Sequence, residues 1–144
     1  MPFPLLDQNT FVFKDLEVGQ SQSFTVKITE RLIDEFASFS GDKNPIHISE
    51  SEASKSIFKK RVAHGFLISS FFSSMYSNFL PGKGSIILEQ QFQFLNPVFI
   101  DDLVTYKVQI VELEIKRKIV NLVVSCETCN EVIKGRAKIL LLNL

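Results

Sequence analysis

Residues 66–79 read Phe-Leu-Ile-Ser-Ser-Phe-Phe-Ser-Ser-Met-Tyr-Ser-Asn-Phe, and this stretch decides the architecture of the chain. Eight of its side chains are large and apolar, and they cover most of a helix circumference, with Ser filling most of the rest. A helix that is apolar nearly all round is buried in its domain. Gly65 precedes the run and Pro81-Gly82 ends it. We therefore predict a long central helix over about residues 66–79.

After this helix the sequence changes to the period of β-strands. Four segments rich in β-branched and apolar residues, 86–95, 103–115, 118–127 and 132–142, are separated by short turn signals. Before the helix, residues 23–28 alternate like a half-buried strand, and residues 29–41 have helical spacing that ends at a glycine. Residues 42–48 are expected to form a loop, and residues 49–57 a short helix. The predicted fold class is α+β, with a meander of hairpin-connected strands wrapped around the central helix.

Length and charge narrow the classes of function. The 144 residues suit a single domain, residues 1–144, in which residues 1–20 form an irregular lead-in with a short strand around 11–13. Equal numbers of acidic and basic residues give no net charge, so we expect no nucleic-acid partner. No apolar window reaches about 18 residues and no signal peptide is evident, so we expect no membrane association. Two cysteines are too few for a disulfide scaffold, which favours the cytoplasm.

The densest group of functional side chains lies in residues 40–47, Ser-Gly-Asp-Lys-Asn-Pro-Ile-His. A turn at this point would bring the Asp42 carboxylate and the His47 imidazole within reach of one water, as general acid–base catalysis requires. The simpler interpretation is that Asp42 closes a turn after Gly41 and that His47 is a solvated loop residue. The residues alone favour the simpler interpretation.

A second candidate is His64-Gly65, directly before the long helix. A helix N-terminus presents unpaired amides, which would stabilise a thioester oxygen that becomes an enolate. Gly65 would equally serve to let the chain enter the core closely packed. Within the helix, Ser69, Ser73 and Ser77 share one face, and such residues usually bond to a carbonyl one turn earlier.

Two further patterns have ordinary explanations. Cys126 and Cys129 form a CxxC spacing at a strand end with no other ligands nearby, so two unlinked thiols are expected rather than a redox or zinc site. The basic run at residues 59–61 could meet phosphates, but such short runs are usually solvated. We therefore predict no metal site.

Several blocks together resemble a known family. They are residues 39–47 (Phe-Ser-Gly-Asp-Lys-Asn-Pro-Ile-His) with Ala53, residues 62–65 (Val-Ala-His-Gly), residues 80–85 (Leu-Pro-Gly-Lys-Gly-Ser) and residues 94–98 (Phe-Leu-Asn-Pro-Val). The first block closely resembles the hydratase 2 motif of the MaoC-like, (R)-specific enoyl-CoA hydratases. Phe39 departs from the smaller aliphatic residue usual there, and we expect it to narrow a nearby pocket.

The resemblance implies a hot-dog fold, a homodimer and a hydro-lyase that adds water syn across a trans-2-enoyl thioester. By similarity, Asp42 and His47 activate the water, and the Gly65 amide forms the oxyanion hole. Asn44 shapes the loop, while Ser73 and His64 lie at the substrate site or support it. No cofactor is implied, because CoA or an acyl carrier belongs to the substrate and the thioester itself acidifies the α-carbon.

Other functions within the fold stay open at this stage. A hot-dog thioesterase would release a free acid and a thiol, whereas a hydratase would release a 3-hydroxyacyl thioester. A non-catalytic acyl-thioester binder would need neither the acid–base pair nor Gly65. A MaoC-like dehydratase that acts on a substrate other than a fatty acyl thioester would keep both.

Overall fold

The computed structural model describes residues 12–142, in which five strands form one antiparallel sheet and a long helix packs against it. The strands are β1 (Ser21–Lys27), β2 (Ser85–Phe94), β3 (Leu103–Glu114), β4 (Ile119–Glu127) and β5 (Glu131–Leu141). The helices are α1 (Glu30–Ser40), α2 (Pro45–Ile48), α3 (Glu50–Lys55) and α4 (Gly65–Asn78). The α+β class and the hot-dog arrangement of a helix on an antiparallel sheet are confirmed.

The order of strands in the sheet is β1-β3-β4-β5-β2, and every neighbouring pair is antiparallel. The hairpins β3–β4 and β4–β5 were predicted correctly. The predicted hairpin between β2 and β3 is wrong, because β2 pairs with β5 at the far edge and residues 95–102 cross over. The edge of β3 that β2 would have used pairs instead with β1, and the paired residues Ser23 and Lys107 are 84 positions apart in the sequence. Turn signals reveal only local pairings.

The core lies between α4 and the sheet. Phe72 of α4 meets Tyr106 of β3 edge to face at 5.1 Å between ring centroids, and the Tyr106 hydroxyl donates to the carbonyl of Ile68 at 2.7 Å. Each large side chain buried in this way stabilises the fold by about 1.5–3 kcal/mol. The prediction that α4 is covered nearly all round is wrong on one face, where Phe66, Ser70 and Ser73 are exposed. One sheet can cover only one side of a helix.

Local capping residues set the two ends of α1 and thereby the position of the segment that follows it. Thr29 caps the start of α1 by accepting from the amide of Leu32, and Gly41 ends it with φ at 79°. Residues 42–48 are not the predicted loop throughout, because Pro45 begins the one-turn helix α2. Proline at the first helical position has its φ already set for a helix, and four residues are too few to show helical periodicity.

The lead-in differs in part from expectation. Phe13–Asp15 form a 3₁₀ helix where a strand was expected around residues 11–13, and residues 1–11 lie outside the described part of the chain. Phe13 and Leu16 are buried against the core, so this segment is ordered by packing rather than by strand pairing.

Candidate active site

His47 is fixed in α2 with one ring nitrogen engaged and the other free. Its side chain is 8% exposed, and Nδ1 lies 2.7 Å from the carbonyl oxygen of Val62. A carbonyl only accepts hydrogen bonds, so Nδ1 carries the proton and donates it. The neutral imidazole therefore keeps its lone pair on Nε2, as a general acid–base residue needs. The expectation of a solvated loop histidine is wrong.

Asp42 is an exposed residue directly after the left-handed Gly41. Its Oδ1 accepts from the amide of Asn44 at 3.2 Å, so it closes a turn, as the simpler interpretation expected. The same turn brings potential ligand atoms of Asp42, His47 and His64 all within 4.8 Å of one another. Turn closure and proximity to His47 therefore coexist in one carboxylate.

Asn44 acts on the backbone rather than on the cavity. It is the N-cap of α2, and its Oδ1 accepts from the amide of Ile46 at 3.5 Å. The cap sets where α2 begins and hence where His47 lies. This contact is consistent with the loop-shaping role that the resemblance implies.

His64 lies behind His47. The two rings stack with centroids 3.9 Å apart, and Phe36 packs beside His64 at 4.9 Å. Nε2 of His64 lies 2.9 Å from the backbone oxygen of Asp42 and donates to it, whereas Nδ1 is buried without a hydrogen-bond partner in the described chain. His64 therefore contacts both members of the pair. It does not line the cavity described below, and its contribution to substrate binding stays a prediction.

The group Asp42, His47 and His64 has the residue types of a metal site but not the required directions. Imidazole lone pairs lie in the ring plane, and the two rings are stacked with only 26° between their planes. Their lone pairs therefore run side by side and do not converge on one ion. The absence of a metal site stays a prediction.

Burial sets the charge state of His47. Desolvation lowers its pKa below the ordinary 6.5, the hydrogen bond to the Val62 carbonyl raises it, nearby His64 lowers it, and Asp42 raises it. The lowering wins, so His47 is neutral near pH 7. A neutral His47 has a lone pair at Nε2 that can accept a proton from water.

Gly65 is the first residue of α4. The N-cap residue, His64, makes no side-chain hydrogen bond to this helix end. The first amides of a helix have no intrahelical partner, and they point along the positive end of the helix dipole. A Cβ at Gly65 would lie 3.1 Å from the Phe94 ring, so a side chain at this position would press against Phe94. Glycine therefore lets the Phe94 ring lie close to this helix end.

A cavity of about 290 Å³ joins His47 to Gly65. Its remaining lining is largely apolar: Ile46, Phe58, Val62, Ala63, Ile68, Phe94, Leu95, Asn96, Pro97, Val98, Val132 and Ile133. An apolar cavity with a few convergent polar groups is the usual form of a small-molecule site. Asp42 is exposed and is not part of this lining.

Other predicted positions lie away from this cavity. Ser73 is exposed on α4 eight residues after Gly65, about 12 Å along the helix axis, and its role stays a prediction. Phe39 is 90% exposed and lines no part of the cavity, so the expectation that it narrows a pocket is wrong for the single chain. Cys126 and Cys129 are free thiols. Burial raises the pKa of Cys126 to about 12, which disfavours its reactive thiolate form.

Three residues contribute to the site in ways that were not predicted from the sequence. Val62 orients His47 through its backbone carbonyl, Phe94 faces Gly65, and Arg61 is buried at 6% exposure. A backbone carbonyl leaves no residue-type signal, and Phe94 comes from a distant strand. Arg61 was hidden in a basic run that is typical of a solvated surface. Its neighbours Lys59 and Lys60 are exposed, as expected.

Comparison with known proteins places this geometry in a family. Residues 14–132 match the MaoC like domain. The chain belongs to the MaoC-like family. It is 38% identical over 129 residues to an (R)-specific enoyl-CoA hydratase of Rhodospirillum rubrum, covering 89% of this chain and 90% of that protein. It is 36% identical over 121 residues to a 3-hydroxybutyryl-CoA dehydratase of Methylorubrum extorquens, covering 84% and 77%.

Among solved structures, the (R)-hydratase from A. caviae involved in PHA biosynthesis is similar to this MaoC-like chain with a TM-score of 0.87. The two are 34% identical, and the match covers 90% of this chain and 99% of the other. No helix within residues 12–142 has the length and apolar character needed to cross a membrane.

Proposed function

We propose that this MaoC-like protein is a hydro-lyase that adds water to a trans-2-enoyl thioester and gives an (R)-3-hydroxyacyl thioester, in a reversible reaction. The observation that carries the proposal is that Asp42 lies next to His47, which lines the same apolar cavity as Gly65. The (R)-specific enoyl-CoA hydratase name of a relative that aligns with nine-tenths of the chain supports the same activity.

In the proposed reaction one water supplies both added groups. The dyad of Asp42 and His47 takes a proton from the water, its oxygen bonds to C3, and the dyad returns a proton to C2. Nε2 of His47 and the carboxylate of Asp42 are the two groups that hold this water. Both bonds form on one face of the alkene because both groups lie on one side of it, which makes the addition syn. Dehydration is the same sequence in reverse.

The thioester carbonyl gains negative charge as water adds to C3. The Gly65 amide, at the uncapped N-terminus of α4, donates a hydrogen bond that stabilises that charge. In this proposal the conjugated system of the substrate extends from the dyad to the Gly65 amide. C3 then receives the water while the carbonyl group is polarised by the amide. The apolar cavity lining suits the acyl chain.

The proposed carrier is CoA or an acyl carrier thioester, and no further cofactor is required, because the thioester itself acidifies C2. We expect the enzyme to act in the cytoplasm on such a diffusible substrate, as one domain that comprises residues 1–144.

A homodimer completes the proposal. β2 lies at an edge of the sheet, and unpaired strand edges favour pairing with another chain. The exposed apolar residues near this edge are Ile86, Ile87, Leu88, Phe94, Leu95 and, on α4, Phe66. A second copy that pairs along β2 would cover them and the open face of α4 that carries Ser73.

The experiment follows the loss of the conjugated thioester when purified protein meets crotonyl-CoA, and then identifies the product by chiral chromatography. We expect (R)-3-hydroxybutyryl-CoA from the native protein and a rate reduced by about 10² or more in Asp42→Asn and His47→Gln. Release of free CoA would identify a thioesterase, and binding without turnover would identify a binding protein. Either result contradicts the proposal.

A further inference from the structure

Arg61 is a buried cation whose guanidinium has three separate partners. Nε donates to the carbonyl oxygen of His47 at 2.6 Å, Nη1 to Oε1 of Glu30 at 2.6 Å and Nη2 to Oδ1 of Asp34 at 2.7 Å. Its side chain is 7% exposed. A planar guanidinium with a fixed fork of donors is the side chain suited to such an arrangement.

The contact between Arg61 and the His47 carbonyl stabilises the short helix α2. In this helix of four residues the Ser49 amide donates to the Pro45 carbonyl, but the His47 carbonyl lies in the last turn and has no partner within the helix. A single turn is too short for its own hydrogen bonds to hold its geometry. Arg61 satisfies the His47 carbonyl, and the next residue, Val62, accepts from the His47 ring at 2.7 Å. The Val62 amide also donates to Ile46 at 3.2 Å. Two consecutive residues therefore hold both the backbone and the imidazole of His47.

The other two contacts connect this clamp to α1. Glu30 and Asp34 are four residues apart, on one face of that helix. α1 leads through Gly41 directly to Asp42, so Arg61 joins the element before Asp42 to the element that carries His47. Arg61 thereby fixes the position of Asp42 relative to His47, although Arg61 does not line the cavity.

We propose that Arg61, oriented by Glu30 and Asp34, is a positioning residue that holds Nε2 of His47 at the water shared with Asp42. This inference rests on the proposed function of the dyad. Its consequence is that loosening the clamp lowers the rate of the chemical step more than substrate binding, since a misplacement of about 1 Å can cost about 10² in rate. A residue with only a structural role would lower the stability and leave the active folded fraction with native kinetics.

The test compares Arg61→Lys and Asp34→Asn with the control Glu35→Gln on crotonyl-CoA, below the melting temperature of every variant. Lysine keeps the charge but cannot reach three acceptors as a fork. Asp34→Asn keeps Arg61 and weakens one of its anchors. Glu35 forms an exposed ion pair with Arg31 on the same helix, at 2.7 Å, so its substitution removes a carboxylate of α1 without changing a partner of Arg61.

We expect Arg61→Lys to lower kcat by about 10- to 100-fold while KM stays within about twofold. Asp34→Asn should have a smaller effect in the same direction, and Glu35→Gln none. In ¹⁵N-histidine NMR spectra, the Nδ1–H signal of His47 should shift or exchange faster in Arg61→Lys. Native kcat together with an unmoved Nδ1–H signal in folded Arg61→Lys would overturn the proposal, and so would a loss of kcat that only follows the folded fraction.

His47→Gln in the same assay separates the two ideas. If His47→Gln retains native activity, the dyad itself is wrong and the proposed function fails. If His47→Gln is inactive but Arg61→Lys is native-like, only the positioning role of Arg61 is overturned. Should Arg61→Lys fail to fold, Asp34→Asn decides by the same two readouts, because it leaves the buried cation paired with Glu30.

Discussion

Replacing Gly65 by proline removes the proposed oxyanion donor from a position whose backbone accepts the change. Gly65 is the first residue of α4, where proline is favoured because its missing amide has no intrahelical partner. The residue before a proline must be extended, and His64 already is, with φ −61° and ψ 134°. Gly65→Pro should therefore fold while lacking the amide.

The size of the effect follows from what the amide is proposed to do. Losing one oxyanion donor typically costs about 10²–10³ in turnover, or about 2.7–4 kcal/mol of transition-state stabilisation. Crowding must be subtracted, because any Cβ at this position lies 3.1 Å from the Phe94 ring. Gly65→Ala has the same contact and keeps the amide, so it is the matched control. The ratio of kcat between the alanine and proline variants isolates the donor.

The assay is hydration of crotonyl-CoA at saturating substrate, with circular dichroism and thermal melting for each variant. We expect Gly65→Ala to raise KM more than it lowers kcat, and Gly65→Pro to lower kcat at least about 10²-fold further. A folded Gly65→Pro protein whose kcat equals that of Gly65→Ala would refute the reasoning. The thioester oxygen would then be held by another donor.

Three further predictions concern the dyad, its pH dependence and the dimer. Asp42→Asn and His47→Gln should each lower kcat by about 10² or more with melting temperatures close to native, measured by the same assay and by calorimetry. Because burial lowers the pKa of His47, kcat/KM should hold through pH 7 and fall only as pH drops below 6.5. Folding stability should fall over the same range, because the unfolded chain then binds the proton more readily. Since Asp42 raises the pKa of His47, an NMR titration of Asp42→Asn should give a lower pKa than the native protein, and a higher one would be contradictory. Leu88→Lys at the β2 edge should yield monomers in analytical ultracentrifugation, whereas the control Leu103→Lys, at a leucine that is even more exposed, should not.

The elements of the fold were predictable wherever a local pattern controls them. The apolar run of α4 and the alternation in β3, β4 and β5 each identify an element within about two residues. The placement of β2 was not predictable, because pairing with β5 is decided by which strand edges are free in the finished sheet. α2 was missed because a single turn is stabilised by Pro45, the Asn44 cap and Arg61 rather than by a repeating pattern.

The candidate site divides in the same way. Asp42, His47 and Gly65 carry side-chain or backbone properties that a motif records, so their positions were predicted, and their roles stay proposals. Arg61 was not singled out, because its burial depends on Glu30 and Asp34 of a separate helix. Residue type alone does not distinguish a buried arginine from its solvated lysine neighbours, since the difference lies in the acceptors that tertiary structure supplies.

The central claim is that one water held by Asp42 and His47 adds to one face of an enoyl thioester. The most direct test is hydration of crotonyl-CoA in D₂O, followed by NMR and chiral analysis of the product. The account predicts (R)-3-hydroxybutyryl-CoA with a single deuterium at C2, on the same face as the new hydroxyl, and loss of this product in His47→Gln. An (S) product, anti addition or undiminished turnover by His47→Gln would contradict it.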